Sequence, residues 1–301
     1  GKTYMPGEPA NLVAIVPCDL PDVTRARAPL DDDAERMGNN LVDFLKNEGK
    51  HGRLPENLLP LQSGVGNVAN AVINGLVHSD FKNLSVYTEV IQDGMFDLID
   101  EGKIDMISGT SLSPSPDGLK RFYANIEKYS KKIILRPQEL SNNGEVARRI
   151  GVVAMNTALE MDIYGHVNST HVTGTKLMNG IGGSGDFARN GALSCFFCHS
   201  VAKGGAISAV VPMCSHVDHT EHDTHVFISE QGVADVRGLS PKERAKVIIN
   251  NVAHPTFRDQ LMDYFERACA LNGNSQTPHI LSEAFKFHTS LAETGSMLFK
   301  K

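Results

Sequence analysis

Along this chain, apolar runs of strand length alternate with stretches whose apolar residues recur every three or four positions. Residues 11–18 (NLVAIVPC) read as a buried strand, and the acidic turn 31–33 suits the positive N-terminus of a helix running through Leu45. The same step recurs where 58–62 precede a helix opening at Asn67, and where 84–88 precede one opening at Asp93. Strands at 104–108 and 132–135 flank a helix over 118–129. Such alternation predicts an α/β fold, an open mixed or parallel sheet with flanking helices.

Beyond residue 150 the pattern loosens, as Gly, Asn, Ser and His become frequent, and strands are predicted at 151–160, 193–199 and 206–213. Ser240 followed by Pro241 and Glu243 marks a capped helix start, with the helix ending near Ala253 and two more helices after it. No repeat, low-complexity tract or linker interrupts the chain. The expectation is one domain over 1–301, with a subdivision near residue 150 as the alternative.

Composition narrows the classes. With 301 residues, 41% hydrophobic and 21% charged, the chain has the makeup of a globular protein rather than a disordered or fibrous one. Its 29 basic and 35 acidic residues give a net charge of −6 with no basic run, which argues against a nucleic-acid partner. No apolar stretch approaches the ~20 residues of a spanning helix, which argues against a membrane. Five cysteines, Cys18, Cys195, Cys198, Cys214 and Cys269, form an odd set without small-scaffold spacing and suit a reducing compartment. An intracellular protein, in cytoplasm or mitochondrion, is expected. The chain opens at Gly1 without an initiator Met, so a segment upstream is expected as well.

Four features offer chemistry. Gln62-Ser63-Gly64-Val65-Gly66-Asn67 is a strand, a glycine turn and a helix start, which lets backbone N–H groups approach an anion. It lacks the third glycine of a dinucleotide fingerprint and the Lys-Ser/Thr of a P-loop, and a plain tight turn is the alternative. Glu89 lies at a strand end just before a helix, where open α/β sheets gather ligands and a carboxylate can act as nucleophile or base. Capping of the next helix is its plainer role. The segment 178–187 packs Gly180, Gly182, Gly183 and Gly185 into six residues, a backbone suited to an oxyanion or to a sharp corner.

The fourth feature is Cys195-Phe196-Phe197-Cys198-His199, with Cys214 and His216, His219, His222 and His225 downstream. The spacing formally matches haem attachment and suits zinc, yet it is embedded in the apolar run 193–199, which reads as a core strand. No metal, no haem and no tightly bound cofactor are therefore expected, with the histidines serving as hydrogen-bonded network residues. Asn142 and Asn143 precede a short helix and are open to capping or ligand contact, and Lys203 precedes two glycines in a turn.

The stretches 59–72 (LPLQSGVGNVANAV), 87–100 (YTEVIQDGMFDLID), 135–143 (LRPQELSNN), 165–190 (GHVNSTHVTGTKLMNGIGGSGDFARN), 211–223 (VPMCSHVDHTEHD) and 229–245 (SEQGVADVRGLSPKERA) together resemble the acetyl-CoA hydrolase/transferase family of class I CoA-transferases. Within it, GGSGDF at 182–187 is most similar to the succinyl-CoA:acetate branch. The resemblance implies a CoA-transferase type of fold, with coenzyme A or acyl-CoA and small carboxylates as substrates. It implies that Glu89 is the glutamate that is acylated and then carries CoA as a thioester, with Asn142 and Gly183 beside it in the active site. It also implies that Leu61, Gln62, Ser63, Gly64 and Val65, with Asn179 and Lys203, hold CoA or the reacting carbonyl.

Glutamate suits such a role, because its carboxylate is already ionised near neutral pH, with an ordinary pKa of about 4.3. Members of the family are usually about twice as long, and this chain matches their C-terminal half. The resemblance thus implies an N-terminal domain as partner, and a homo-oligomer. Acetyl-CoA hydrolysis on the same glutamate, or a catalytically silent half that binds CoA, are the competing readings.

Overall fold

The structure is a computed structural model that describes residues 7–20, 24, 26, 30–64 and 66–299. Its centre is an eight-stranded sheet, here numbered β1 (Leu61–Ser63), β2 (Leu84–Tyr87), β3 (Ile104–Gly109), β4 (Ile133–Leu135), β5 (Val153–Thr157), β6 (Leu193–Phe197), β7 (Val226–Ser229) and β8 (Gly232–Asp235). The spatial order is β8-β7-β6-β5-β1-β2-β3-β4, parallel throughout except for the antiparallel β7–β8 hairpin. The chain runs outward from β1 to one edge, then returns to β5 on the other side of β1 and runs to the opposite edge. The winding reverses between β1 and β5, and ligands of open α/β sheets sit outside the carboxyl ends of strands at such a point.

Local signals account for the helices. In α1 (Asp32–Lys50), Asp31 accepts the Ala34 N–H at 2.7 Å, three acids fill the first turn, and Ala34, Met37, Leu41 and Leu45 form a buried stripe. α1 crosses α2 (Asn67–His78) where Gly38 and Gly75 meet. A Cβ on Gly75 would come within 2.9 Å of the Gly38 carbonyl, so the crossing depends on both glycines. α3 (Asp93–Asp100) begins at a buried Asp93 that accepts both the N–H and the hydroxyl of Ser115, at 2.8 and 2.6 Å, and so ties its own start to the cap of α4 (Pro116–Ala124). Later come α5 (Gln138–Ser141), α6 (Gly144–Ile150), α7 (Ser184–Asn190), α8 (Pro241–Asn251), α9 (Pro255–Leu271) and α10 (Lys286–Thr294). The Ser240/Glu243 capping box predicted for α8 is present.

The sheet is buried on both faces. In β6, Leu193, Cys195 and Phe197 join the core under α1 and α2, while Phe196 and Cys198 join a second core built with α8 and α9. This is the core strand predicted from the 193–199 run. It puts Cys195 and Cys198 in different cores, on opposite faces of the sheet, where they cannot share an ion.

Three predicted strands differ. Residues 12–20 form no strand, and Leu12, Val13, Ile15 and Val16 are exposed, because no strand among the described residues offers that backbone a partner. The 206–213 run divides into Ile207–Ser208 and Val210–Val211, which belong to different small sheets, and the 151–160 run ends at Thr157, with Glu160–Asp162 opening another. No described helix is long and apolar enough to cross a membrane.

Candidate active site

Glu89 stands just past the carboxyl end of β2, where the chain leaves the main sheet. Its carbonyl accepts the Thr110 N–H at 2.7 Å, and Val90–Ile91 then pair with Ser111–Leu112 in a separate two-stranded ribbon. Thr88, fully buried, donates its hydroxyl to the Ser63 carbonyl at 3.1 Å and its N–H to the Ser108 carbonyl at 2.9 Å. The nucleophile candidate is therefore pinned beside the glycine turn that follows β1.

Gly183, at the start of α7, donates its N–H to Glu89 Oε2 at 2.8 Å. A Cβ on Gly183 would lie 2.3 Å from Glu89 Oε2 and 2.4 Å from Asn142 Nδ2. Residues 53 and 94 positions from Glu89 in sequence thus converge on its carboxylate, and only glycine fits between them. Asn142 is steadied from two sides, donating Nδ2–H to Asp186 Oδ2 at 3.3 Å and accepting the Ser141 hydroxyl at 3.0 Å. Helix capping falls to Asn143, whose Oδ1 accepts the N–H groups of Glu145 and Val146.

In the first glycine turn, Leu61 is buried in the core, and Gln62 is buried with its amide exchanged against Asn156, at 3.1 and 3.3 Å. Ser63 is buried too, its N–H directed at Thr88 Oγ1. Gly64 donates its N–H to the Met155 carbonyl at 2.8 Å, bridging β1 and β5 where the winding reverses. Val65 lies outside the described residues. Gly66 has φ of +105°, which favours glycine. Ser63 and Gly64 line a crevice with Asn70, Val90, Gln92 and Met95, beside the segment that carries Glu89.

Asn179 is exposed and donates to the carbonyls of Ser169 and Gly180, at the root of the glycine loop. Lys203 occupies an exposed turn between two short strands with φ of +48°, and its ammonium makes no contact with the Glu89 cluster among the described residues. The structure brings together Glu89, Asn142 and Gly183, sets Ser63 and Gly64 close by, and leaves Lys203 apart.

Three of the histidines expected in hydrogen-bonded networks have such partners, while His222 is exposed beside Glu221. His216 faces Asp218 at 3.2 Å, His219 meets Ser184 at 3.1 Å and His225 accepts the Ser194 N–H at 3.2 Å. Sequence reasoning missed Thr88 and Asp186, although each adjoins or lies within a motif that it singled out.

Fold and site define the class: an α/β protein that presents a carboxylate, held by a backbone N–H and flanked by an amide, at the carboxyl end of a parallel sheet. Residues 118–265 match the acetyl-CoA hydrolase/transferase C-terminal domain. The chain is 57% identical over 297 residues to a succinyl-CoA:acetate CoA-transferase of Clostridium kluyveri, covering 99% of this chain and 55% of that protein. It is 48% identical over 308 residues to an acetyl-CoA hydrolase of Yarrowia lipolytica, covering 100% of this chain and 59% of that protein. A solved 4-hydroxybutyrate CoA-transferase of Porphyromonas gingivalis superimposes with a TM-score of 0.63 at 24% identity, covering 81% of this chain and 57% of that one, so the fold is of the CoA-transferase type. The chain belongs to the acetyl-CoA hydrolase/transferase family. It spans a little over half the length of these relatives.

Proposed function

We propose that the chain is the C-terminal catalytic domain of a CoA-transferase, with Glu89 as its covalent nucleophile and succinyl-CoA and acetate as its substrates. The observation that carries this reading is the convergence of Gly183 N–H and Asn142 on the Glu89 carboxylate. Glu89 attacks the thioester carbonyl, forming a mixed anhydride and expelling CoA thiolate. The thiolate attacks the glutamyl carbonyl, which leaves a glutamyl-CoA thioester and releases the first carboxylate. The acceptor carboxylate attacks that thioester, and the expelled thiolate then takes the new acyl group, restoring Glu89.

Each addition places negative charge on a carbonyl oxygen. Gly183 N–H and the Asn142 amide are the donors for it, and removal of one such donor costs about 3–4 kcal/mol of transition-state stabilisation in other enzymes. The backbone from Ser63 to Gly66, with Asn179 and Lys203, serves CoA once the site is closed. The N-terminal half found in the longer relatives is the closing partner. Leu140, Leu177, Met178 and Ile181, on the segments that carry Asn142 and Gly183, are exposed on this chain and suit a docked domain. A homo-oligomer in cytoplasm or mitochondrion completes the reading.

Hydrolysis is the second reading, favoured by the acetyl-CoA hydrolase relative and by the half-buried position of Glu89, which water can reach. In the complete enzyme, CoA transfer from succinyl-CoA should require acetate and should vanish in Glu89→Ala with the fold intact. Acetate-independent release of free CoA would favour hydrolysis, and turnover by Glu89→Ala would refute both.

A further inference from the structure

His219 is one of the buried titratable groups that the proposed mechanism leaves unused. His219 is fully buried in the loop between residues 211 and 225, its ring against Phe196 with centroids 4.8 Å apart, and its Nδ1 has no hydrogen-bond partner among the described residues. Its Nε2 lies 3.1 Å from Ser184 Oγ, and that hydroxyl lies 2.9 Å from the Ile181 carbonyl. A hydroxyl has one proton. With that proton donated to Ile181, Nε2 must carry the ring proton and donate to Ser184. The reverse assignment would leave a buried Nδ1–H without an acceptor. Burial also holds the His219 pKa down at about 4, so the ring stays neutral near neutral pH.

The neighbouring Asp218 grips the other end of the segment 169–184. Its carboxylate accepts the N–H and hydroxyl of Ser169, at 2.8 and 3.3 Å, and the hydroxyl of Thr170 at 2.8 Å. Ser169 in turn accepts the Asn179 amide through its carbonyl. Between these grips lies Gly183, whose N–H must meet Glu89.

We propose that Asp218 and His219 are positioning residues for the nucleophile, His219 acting through Ser184 to fix the turn 181–184 so that the Gly183 N–H points at the Glu89 carboxylate. This rests on the proposed role of Glu89. The chain of contacts is His219 Nε2–H to Ser184, Ser184 to the Ile181 carbonyl, and Gly183 N–H to Glu89. The turn carries consecutive glycines at 182 and 183, with φ of +56° at Gly182, and has little conformational preference of its own. A fixed external donor supplies what its sequence lacks.

The test compares His219→Phe, Ser184→Ala and His219→Gln in the complete enzyme, with Glu89→Ala alongside. His219→Phe keeps a ring against Phe196 and removes the donor, whereas glutamine places an amide N–H near the position of Nε2. His219→Phe and Ser184→Ala should each lower kcat about 10- to 100-fold with KM for acyl-CoA within about twofold, as a misplaced reacting group does. The double variant should be no worse than either single one, and His219→Gln should recover most of the turnover. Parental kcat in both His219→Phe and Ser184→Ala, with Glu89→Ala inactive, would overturn the positioning role alone. Activity in Glu89→Ala would overturn the reading on which it rests.

Discussion

The interior under α1 and α2 and the interior beneath residues 160–225 differ in how much buried polar structure each adds to its apolar core. In the first, Met37, Leu41, Leu45, Leu76 and Phe96 pack against the sheet, and two helices close to contact through Gly38 and Gly75. In the second, Met161, Ile163, Val167, Val210 and Val211 also form a core, but the strands of the small sheets are two or three residues long and Glu160, Asp162, Asn168, Thr170, His219 and Thr224 are buried among them. Glu160 accepts Asn168, Ser215 and His288, and Asp162 accepts the N–H groups of Tyr164, Gly165, His166 and Cys214. Apolar packing tolerates small shifts, whereas a hydrogen bond fixes a direction. The polar region is the one that aims Gly183 at Glu89, a task in which direction counts.

If that contrast is correct, the polar region should fail first. Asp162→Ala leaves several buried donors without an acceptor and should cost about 3–5 kcal/mol in denaturant unfolding. A cost below about 1 kcal/mol would show that apolar packing alone holds this region. In the apolar region, Gly75→Ala forces a methyl against the Gly38 backbone and should cost about 1–3 kcal/mol by the same measurement, without the gain in helix propensity expected of alanine.

The smallest effect is in the pH dependence. Burial alone would lower the His166 pKa, but hydrogen bonds and charge from Asp162 and Glu221 outweigh it and raise the pKa above its ordinary 6.5. The stability this contributes is present in full below 6.5 and is lost as pH rises through the raised value. In the apolar region the sign is opposite. Burial alone would raise the pKa of Glu48, yet Arg53 and Arg237 hold it at about 2, so its contribution is present above 4.5 and is lost as pH falls through about 2. Unfolding free energies measured across neutral and alkaline pH should show a decline in the parent that is weaker in His166→Asn, and Glu48→Gln should leave that decline in place.

The contrast also decides what could be read in advance. Periodicity located α1, α2, α3 and the strands around them, and the apolar run at 193–199 identified β6, because burial there repeats along the chain. Residues 11–18 show the limit, since an apolar run implies a strand only if a partner backbone is at hand. The strand-end place of Glu89 and the glycine density over 180–185 marked both segments, but it took the family resemblance to single out Gly183. That Asn143 rather than Asn142 caps the helix was not legible, because either could. The burial of His219 was not, because it depends on a fold in which 211–223 lies against 165–190.

Covalent carriage of CoA by Glu89 is tested most directly by the mass of its peptide. The complete enzyme is mixed with acyl-CoA without an acceptor acid, quenched in acid, digested and analysed. A CoA adduct, formed with release of the carboxylic acid, is expected on the peptide containing Tyr87 to Asp93 in the parent and none in Glu89→Gln. An adduct on another residue, or undiminished turnover with no adduct on Glu89, would contradict that carriage.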